Sequence, residues 1–148
     1  MRILSVDYGK KRTGLAVTDP LKIIANGLVT VNTSELLDYI VGYIQKEDVE
    51  TIVFGEPRQP NGQPSENLQR VKSFAGKLKQ VLAAMDEDGR LKHEIKIDWY
   101  DERFTSVLAH QTMLESGIGK KARQNKALVD EISATIILQD YMLYQSHN

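Results

Sequence analysis

Five acids of the 148-residue chain stand where apolar runs end or begin. Asp7 closes the run RILSV, Glu56 follows TIVFG, Asp101 and Glu102 follow IKIDWY, and Asp130 heads the helical stripe Asp130, Ala134, Ile137, Leu138, Tyr141. Singly, each has a structural explanation: Asp7 and Asp101 start turns, and Asp130 answers the helix dipole or pairs with Lys126. Jointly they point to chemistry. Carboxylates gathered in a small space repel one another and raise each other's pKa unless a cation lies among them. The chain has no cysteine, and hard oxygen ligands suit Mg²⁺ or Mn²⁺. Two such ions about 4 Å apart clamp the attacking and leaving oxygens of a phosphodiester displacement. Lys10, Lys11 and Arg12, on the turn directly after Asp7, are placed to hold the flanking phosphates. Arg70, Lys72, Lys77 and Lys79 along one helix, and Lys120, Lys121, Arg123 and Lys126 near the last, form further cationic clusters. Any one of these alone reads as a solvated face.

For the acids to meet, the chain must bring strand ends together. Arg2 to Asp7 reads as a strand and Thr13 to Thr18 as its hairpin partner, with Gly9 and Gly14 at turn positions; Gly27 to Val31 adds a third strand. Thr33 or Ser34 offers an N-cap for a helix carrying Leu36, Leu37, Ile40, Val41 and Ile44 on one stripe. Thr51 to Phe54 is a β-branched run suited to a strand covered on both faces. Ser65 caps a second helix with Leu68, Val71, Phe74, Ala75, Leu78, Val81 and Leu82 at three- and four-residue intervals. The alternation Ile95, Ile97, Trp99 marks a fifth strand, and Asp101 shares its parity. A further helix is expected from Thr105 or Ser106 through Leu114, and a last one from about Leu128 to Tyr144. The order predicts one α/β domain over residues 1–148: a mixed five-stranded sheet, three strands in an antiparallel meander and two parallel, flanked by helices. Ligands of open α/β sheets bind outside the carboxyl ends of the strands. Asp7, Glu56 and Asp101 converge there if the first, fourth and fifth strands are parallel neighbours.

Composition narrows the alternatives. An apolar share of 41% with 26% charged residues is that of a soluble domain. No run approaches the roughly 18 apolar residues of a membrane span, and no secretory leader is visible, so the cytoplasm is the expected location. Absence of cysteine removes disulfides, thiolate nucleophiles and Cys-ligated zinc. The histidines His93, His110 and His147 lack metal-ligand spacing, and Ser5, Ser106 and Ser133 lack a GxSxG elbow. GKKRTG lacks the GK[ST] ending of a P-loop. Nineteen cations nearly cancel twenty anions, which suits recognition of structured nucleic acid by local clusters and shape.

Four blocks, DYGKKRTGLAVTDP, GEPRQPNGQPSEN, DERFTS and VDEISATIILQDY, resemble in order and spacing the YqgF family, also called RuvX. The resemblance covers essentially the whole chain. It implies an RNase H-like fold related to the RuvC junction resolvases, and a nuclease that matures the 5′ end of pre-16S ribosomal RNA in ribosome biogenesis; some members are described instead as Holliday junction resolvases. The implied partners are structured RNA, pre-16S rRNA or branched DNA, and ribosomal particles, for a monomer or homodimer. Matched to the family's motifs, Asp7, Asp101 and Asp130 become the catalytic metal ligands, with Asp7 central between the ions. Arg103 and Thr105 become phosphate or backbone contacts, and Lys11 and Arg12 the basic turn. Glu102 points away from Asp101 if the strand persists, which leaves both a structural ion pair and a catalytic part open to it. Glu56 ranks below the three aspartates because many members carry an apolar residue there. Phe104 replaces the usual leucine, and VDEISA a more alanine-rich block; neither touches the proposed chemistry.

Two rivals remain open. The DxGxxxxG turn also resembles the phosphate loop of actin-like ATPases and sugar kinases, but those close two such domains over a nucleotide and this chain is too short for both. The other is a purely binding role on ribosomal RNA, with vestigial acids.

Overall fold

A computed structural model describes residues 1–57, 61, 63, 65–101 and 126–146. β1 (Arg2–Asp7), β2 (Arg12–Thr18) and β3 (Ala25–Asn32) form the antiparallel meander. α1 (Leu36–Lys46) leads to β4 (Val49–Glu56), and α2 (Glu66–Glu87) to β5 (Lys96–Asp101). The last described helix is α3 (Lys126–Ser146). β4 is parallel to β1 and β5 to β4, giving the strand order β3-β2-β1-β4-β5. Asp7, Glu56 and Asp101 thus all lie at the carboxyl edge of three adjacent parallel strands, and α2 lies in the crossover that parallel pairing of β4 and β5 requires.

Strand alternation sorts the side chains to two faces. Leu4, Val6, Leu15, Val17, Ile52 and Phe54 pack with the buried stripes of α1 and α2. Ile3, Ala16 and Val53 pack on the opposite face with Ala134, Leu138 and Tyr141 of α3. Covering on both faces is why β1 and β4 read as nearly continuous apolar runs.

The two expected helix caps are placed differently. Thr33 lies in a 3₁₀ turn, Thr33–Glu35, before α1. Its hydroxyl donates to the Gly9 carbonyl at 2.7 Å and lies 2.9 Å from Thr13 Oγ1, while its N–H donates to the Lys11 carbonyl at 2.9 Å. The hydroxyl is therefore spent on fixing the β1–β2 turn. Ser65 does precede α2, but its hydroxyl donates to the Pro57 carbonyl at 2.7 Å and makes no cap bond to the helix. In both places a loop carbonyl, delivered by tertiary structure, captured the group that local sequence assigns to a helix N–H.

α3 is tied to the sheet by polar contacts as well as apolar ones. The fully buried Ser5 hydroxyl donates to the Ala134 carbonyl at 3.0 Å, and Thr30 Oγ1 to the Ala127 carbonyl at 2.6 Å. Further along, the Tyr141 hydroxyl donates to Asp98 Oδ2 at 2.7 Å, and the Trp99 N–H to Asp98 Oδ1 at 2.9 Å. Burial pushes the Asp98 carboxyl up, but these two bonds and Lys96 more than offset it and leave its pKa below the ordinary value of 3.8. Burial and the bond to Asp98 push the Tyr141 hydroxyl up. A carboxyl depressed in the folded state stabilises above its unfolded pKa, and that contribution disappears as pH falls through the folded value. Tyr141→Phe is therefore expected to cost about 1 kcal/mol at neutral pH and less below about pH 3.8. Urea unfolding of both proteins on either side of that pH measures the difference; an equal cost at both would show that the charge on Asp98 plays no part.

Candidate active site

The acids at the carboxyl edge divide between the two faces of the sheet. In the antiparallel β1–β2 pair Asp7 stands opposite Gly14, on the face that carries Ser5 and α3. From Ser5 to Asp7 is two strand residues, about 6.6 Å. From Ala134 back to Asp130 is four helical residues, about 6 Å. Because Ser5 is bonded to Ala134, equal steps from that contact bring Asp130 alongside Asp7. The approach is close: a Cβ on Gly14 would collide with the Asp130 carbonyl oxygen and stand 3.0 Å from the Asp130 Cβ. Gly14 is thus a strand residue whose missing side chain admits the helix, in place of the turn glycine that the sequence suggests.

Arg12 completes this corner. Its Nε lies 3.0 Å from Asp130 Oδ2, with the two side chains 40% and 25% exposed. The sequence places Arg12 among the phosphate contacts; the structure engages its guanidinium with one of the acids. Lys10 and Lys11 remain exposed on the adjoining turn. That turn is closely packed at Gly9, where a Cβ would collide with the Arg12 carbonyl, and is tied by hydrogen bonds to the Thr13 and Thr33 hydroxyls.

Glu56 and Asp101 are partners in the β4–β5 register and by alternation share the parity of Phe54 and Trp99, toward α2. The Glu56 carboxylate, 16% exposed, has Lys72 Nζ at 3.6 Å, and the same ammonium lies 3.8 Å from the centre of the Trp99 ring. Glu56 is thus engaged with α2 and does not join Asp7 and Asp130. Asp101 stands two strands from Asp7. Among the described residues, no three His, Cys, Asp or Glu side chains come close enough to hold a metal ion. Glu102, Arg103, Thr105, Lys120, Lys121 and Arg123 lie outside the described residues.

Mg²⁺ is commonly held by one or two carboxylates, with water and substrate phosphate filling the octahedron. Asp7 and Asp130, from different elements and meeting across a glycine, fit that pattern. As a pair they provide fewer ligands than the three-aspartate set expected from the sequence. Sequence reasoning missed Gly14, Thr33 and the Arg12–Asp130 pair. A signal existed for the division of the acids: in β1 Asp7 alternates with the apolar Val6, whereas in β5 Asp101 shares the parity of Trp99.

Known proteins extend these observations. A curated relative from Phocaeicola vulgatus, named "Putative pre-16S rRNA nuclease", is 57% identical over 141 residues, covering 95% of this chain and 94% of its own. Proteins of the same name from Bacteroides fragilis and Flavobacterium johnsoniae are 55% and 52% identical, each match covering 95% of both chains. Thermus thermophilus RuvC superposes with a TM-score of 0.56 at 15% identity, covering 99% of this chain and 97% of that one. The Fowlpox virus resolvase, solved with Holliday junction DNA, gives 0.55 at 13%, covering 98% and 99%. These likenesses, with the strand order above, make the fold RNase H-like. The family profile described as "RuvX: Holliday junction resolvase" matches residues 1–144, and the chain belongs to the RuvX family.

Proposed function

We propose that this protein is a divalent-metal-dependent nuclease that hydrolyses phosphodiesters of RNA and processes the 5′ end of pre-16S rRNA in ribosome biogenesis. The observation that carries the reading is the close approach of Asp130 to Gly14, the residue paired with Asp7, beside the turn that carries the exposed Lys10 and Lys11. The names of the 52–57% identical relatives support RNA as the substrate. Asp7 and Asp130 would hold Mg²⁺ or Mn²⁺; the resemblance to the family's DER motif makes Asp101 a third candidate ligand, which lies two strands from Asp7. When bound, such an ion stabilises charge developing on the phosphoryl oxygens.

The chain's own groups supply the rest. Lys10 and Lys11 attract the phosphates on either side of the cut and hold them at the edge of the sheet. Arg12 holds the Asp130 carboxylate in place through its 3.0 Å contact. The clamped β1–β2 turn lowers the entropy lost when the lysines engage the backbone.

A second reading, cleavage of branched DNA in recombination, is favoured by the family description. Both substrates offer the same phosphodiester, so they must be compared directly. The purified protein is expected to cut a pre-16S 5′ segment with Mg²⁺ or Mn²⁺ and to lose that activity in a chelator, while a four-way junction of matched length is cut more slowly. Preferential junction cleavage would transfer the assignment to the second reading. Binding of pre-rRNA with no cleavage in either metal would leave an assembly factor without turnover.

A further inference from the structure

Tyr8 follows Asp7 and by alternation turns to the α2 side of the sheet. There it borders an open groove of about 430 Å³, lined also by Glu66, Arg70, Ser73, Phe74 and Lys77. Positions 66, 70, 73, 74 and 77 are spaced by three and four and so form a single helical stripe. Arg70 and Lys77 are about 10.5 Å apart along the axis at 1.5 Å per residue. Both are exposed, and among the described residues neither has an ion-pair partner. Lys72, by contrast, one position off this stripe, is engaged with Glu56 and Trp99. Tyr8 and Phe74 are half-buried, with ring centres 5.5 Å apart, so the floor of the groove is an aromatic pair held in place from behind. The Tyr8 main chain is held too, because Asn67 Nδ2 donates to its carbonyl at 2.7 Å.

We infer that this groove binds an unpaired stretch of the substrate polynucleotide, with Arg70 and Lys77 on its phosphates and the Tyr8 ring under a base. The inference rests on the nuclease reading for the identity of the strand. Two arguments select this occupant. Cations flanking an aromatic floor match alternating phosphate and base, the combination by which proteins hold single strands. The groove is also continuous with the candidate active site: a strand leaving Asp7 over the carboxyl edge of β1 next meets Tyr8. Glu66, at the start of α2, repels phosphate and marks the end of the groove at which the backbone must turn away. A duplex presents no free base face to Tyr8 and gains only the two charges.

The test is binding of a short fluorescent oligoribonucleotide, single-stranded or annealed to its complement, by the full-length protein over a salt series without divalent metal. For single strands each phosphate contact contributes about 0.7 to the slope of log affinity against log salt. Arg70→Ala/Lys77→Ala is expected to flatten the slope by about 1.4. The control Lys46→Ala/Lys92→Ala, which removes equal charge near the amino end of β4, should leave it unchanged. Tyr8→Leu keeps apolar volume against Phe74 and is expected to weaken single-strand binding about tenfold while sparing the duplex. An unchanged slope in the Arg70/Lys77 variant, an equal change in the control, or equal loss for duplex and single strand with Tyr8→Leu overturns the inference. Cleavage assays on the same proteins separate the two readings. Full cleavage with a slope indifferent to Arg70 and Lys77 removes the groove and leaves the nuclease. The expected slope change without any cleavage keeps the groove and removes the nuclease.

Discussion

Asp7→Asn is expected to reduce metal-dependent cleavage of pre-16S rRNA about 10³-fold while leaving the unfolding midpoint unchanged. The magnitude follows from the several kcal/mol that a bound ion contributes to a transition state, at 1.36 kcal/mol for each factor of ten. The amide keeps the shape of the carboxylate but surrenders its charge, and Mg²⁺ is bound chiefly through charged oxygen. Stability should hold because Asp7 ends β1 at a partly exposed position, and because the core contacts of that strand come from Ile3, Leu4 and Val6. Single-turnover cleavage and urea unfolding of the same preparation give the two readouts. Cleavage within a few-fold of wild type would remove Asp7 from the chemistry.

Gly14→Ala should be the most damaging single methyl group among the glycines described above. The added Cβ meets backbone at the Asp130 carbonyl, and no side chain can rotate away to make room. α3 must move off the sheet or β2 must bend, and overpacking of this kind costs up to about 3 kcal/mol. Displacement of α3 would also draw Asp130 from Asp7 and strain the Ser5–Ala134 bond. Lower stability and lost cleavage are therefore expected together. Gly42→Ala and Gly76→Ala are the matched comparisons: both glycines lie inside helices with nothing within 4 Å of the added carbon. Each should stabilise by about 0.5–1 kcal/mol. Equal effects at all three positions would mean that the contact at Gly14 is not the cause.

Much of this organisation is legible in the sequence because burial imposes a period. The run from Thr51 to Phe54 reads as a doubly covered strand, and β4 is one, extended at both ends to Val49–Glu56. The stripe from Asp130 to Tyr141 correctly turns Asp130 toward the sheet, because helical spacing fixes which side chains share a face. What is not legible depends on how elements cross. Gly14 looks like turn punctuation until α3 is laid over it. Thr33 and Ser65 look like caps until Gly9 and Pro57 present their carbonyls. Strand ends alone gathered Asp7, Glu56 and Asp101 at one edge, but alternation assigns Asp7 to one face and Glu56 and Asp101 to the other. The family's blocks name residues without ordering them in space, so the contact of the Arg12 guanidinium with Asp130 is not visible in them.

The contact between Arg12 and Asp130 joins residues 118 positions apart, one from the second strand and the other from the last described helix. During synthesis the sheet residues emerge well before that helix does. The corner that Arg12 and Asp130 form therefore exists only once α3 has packed on the sheet.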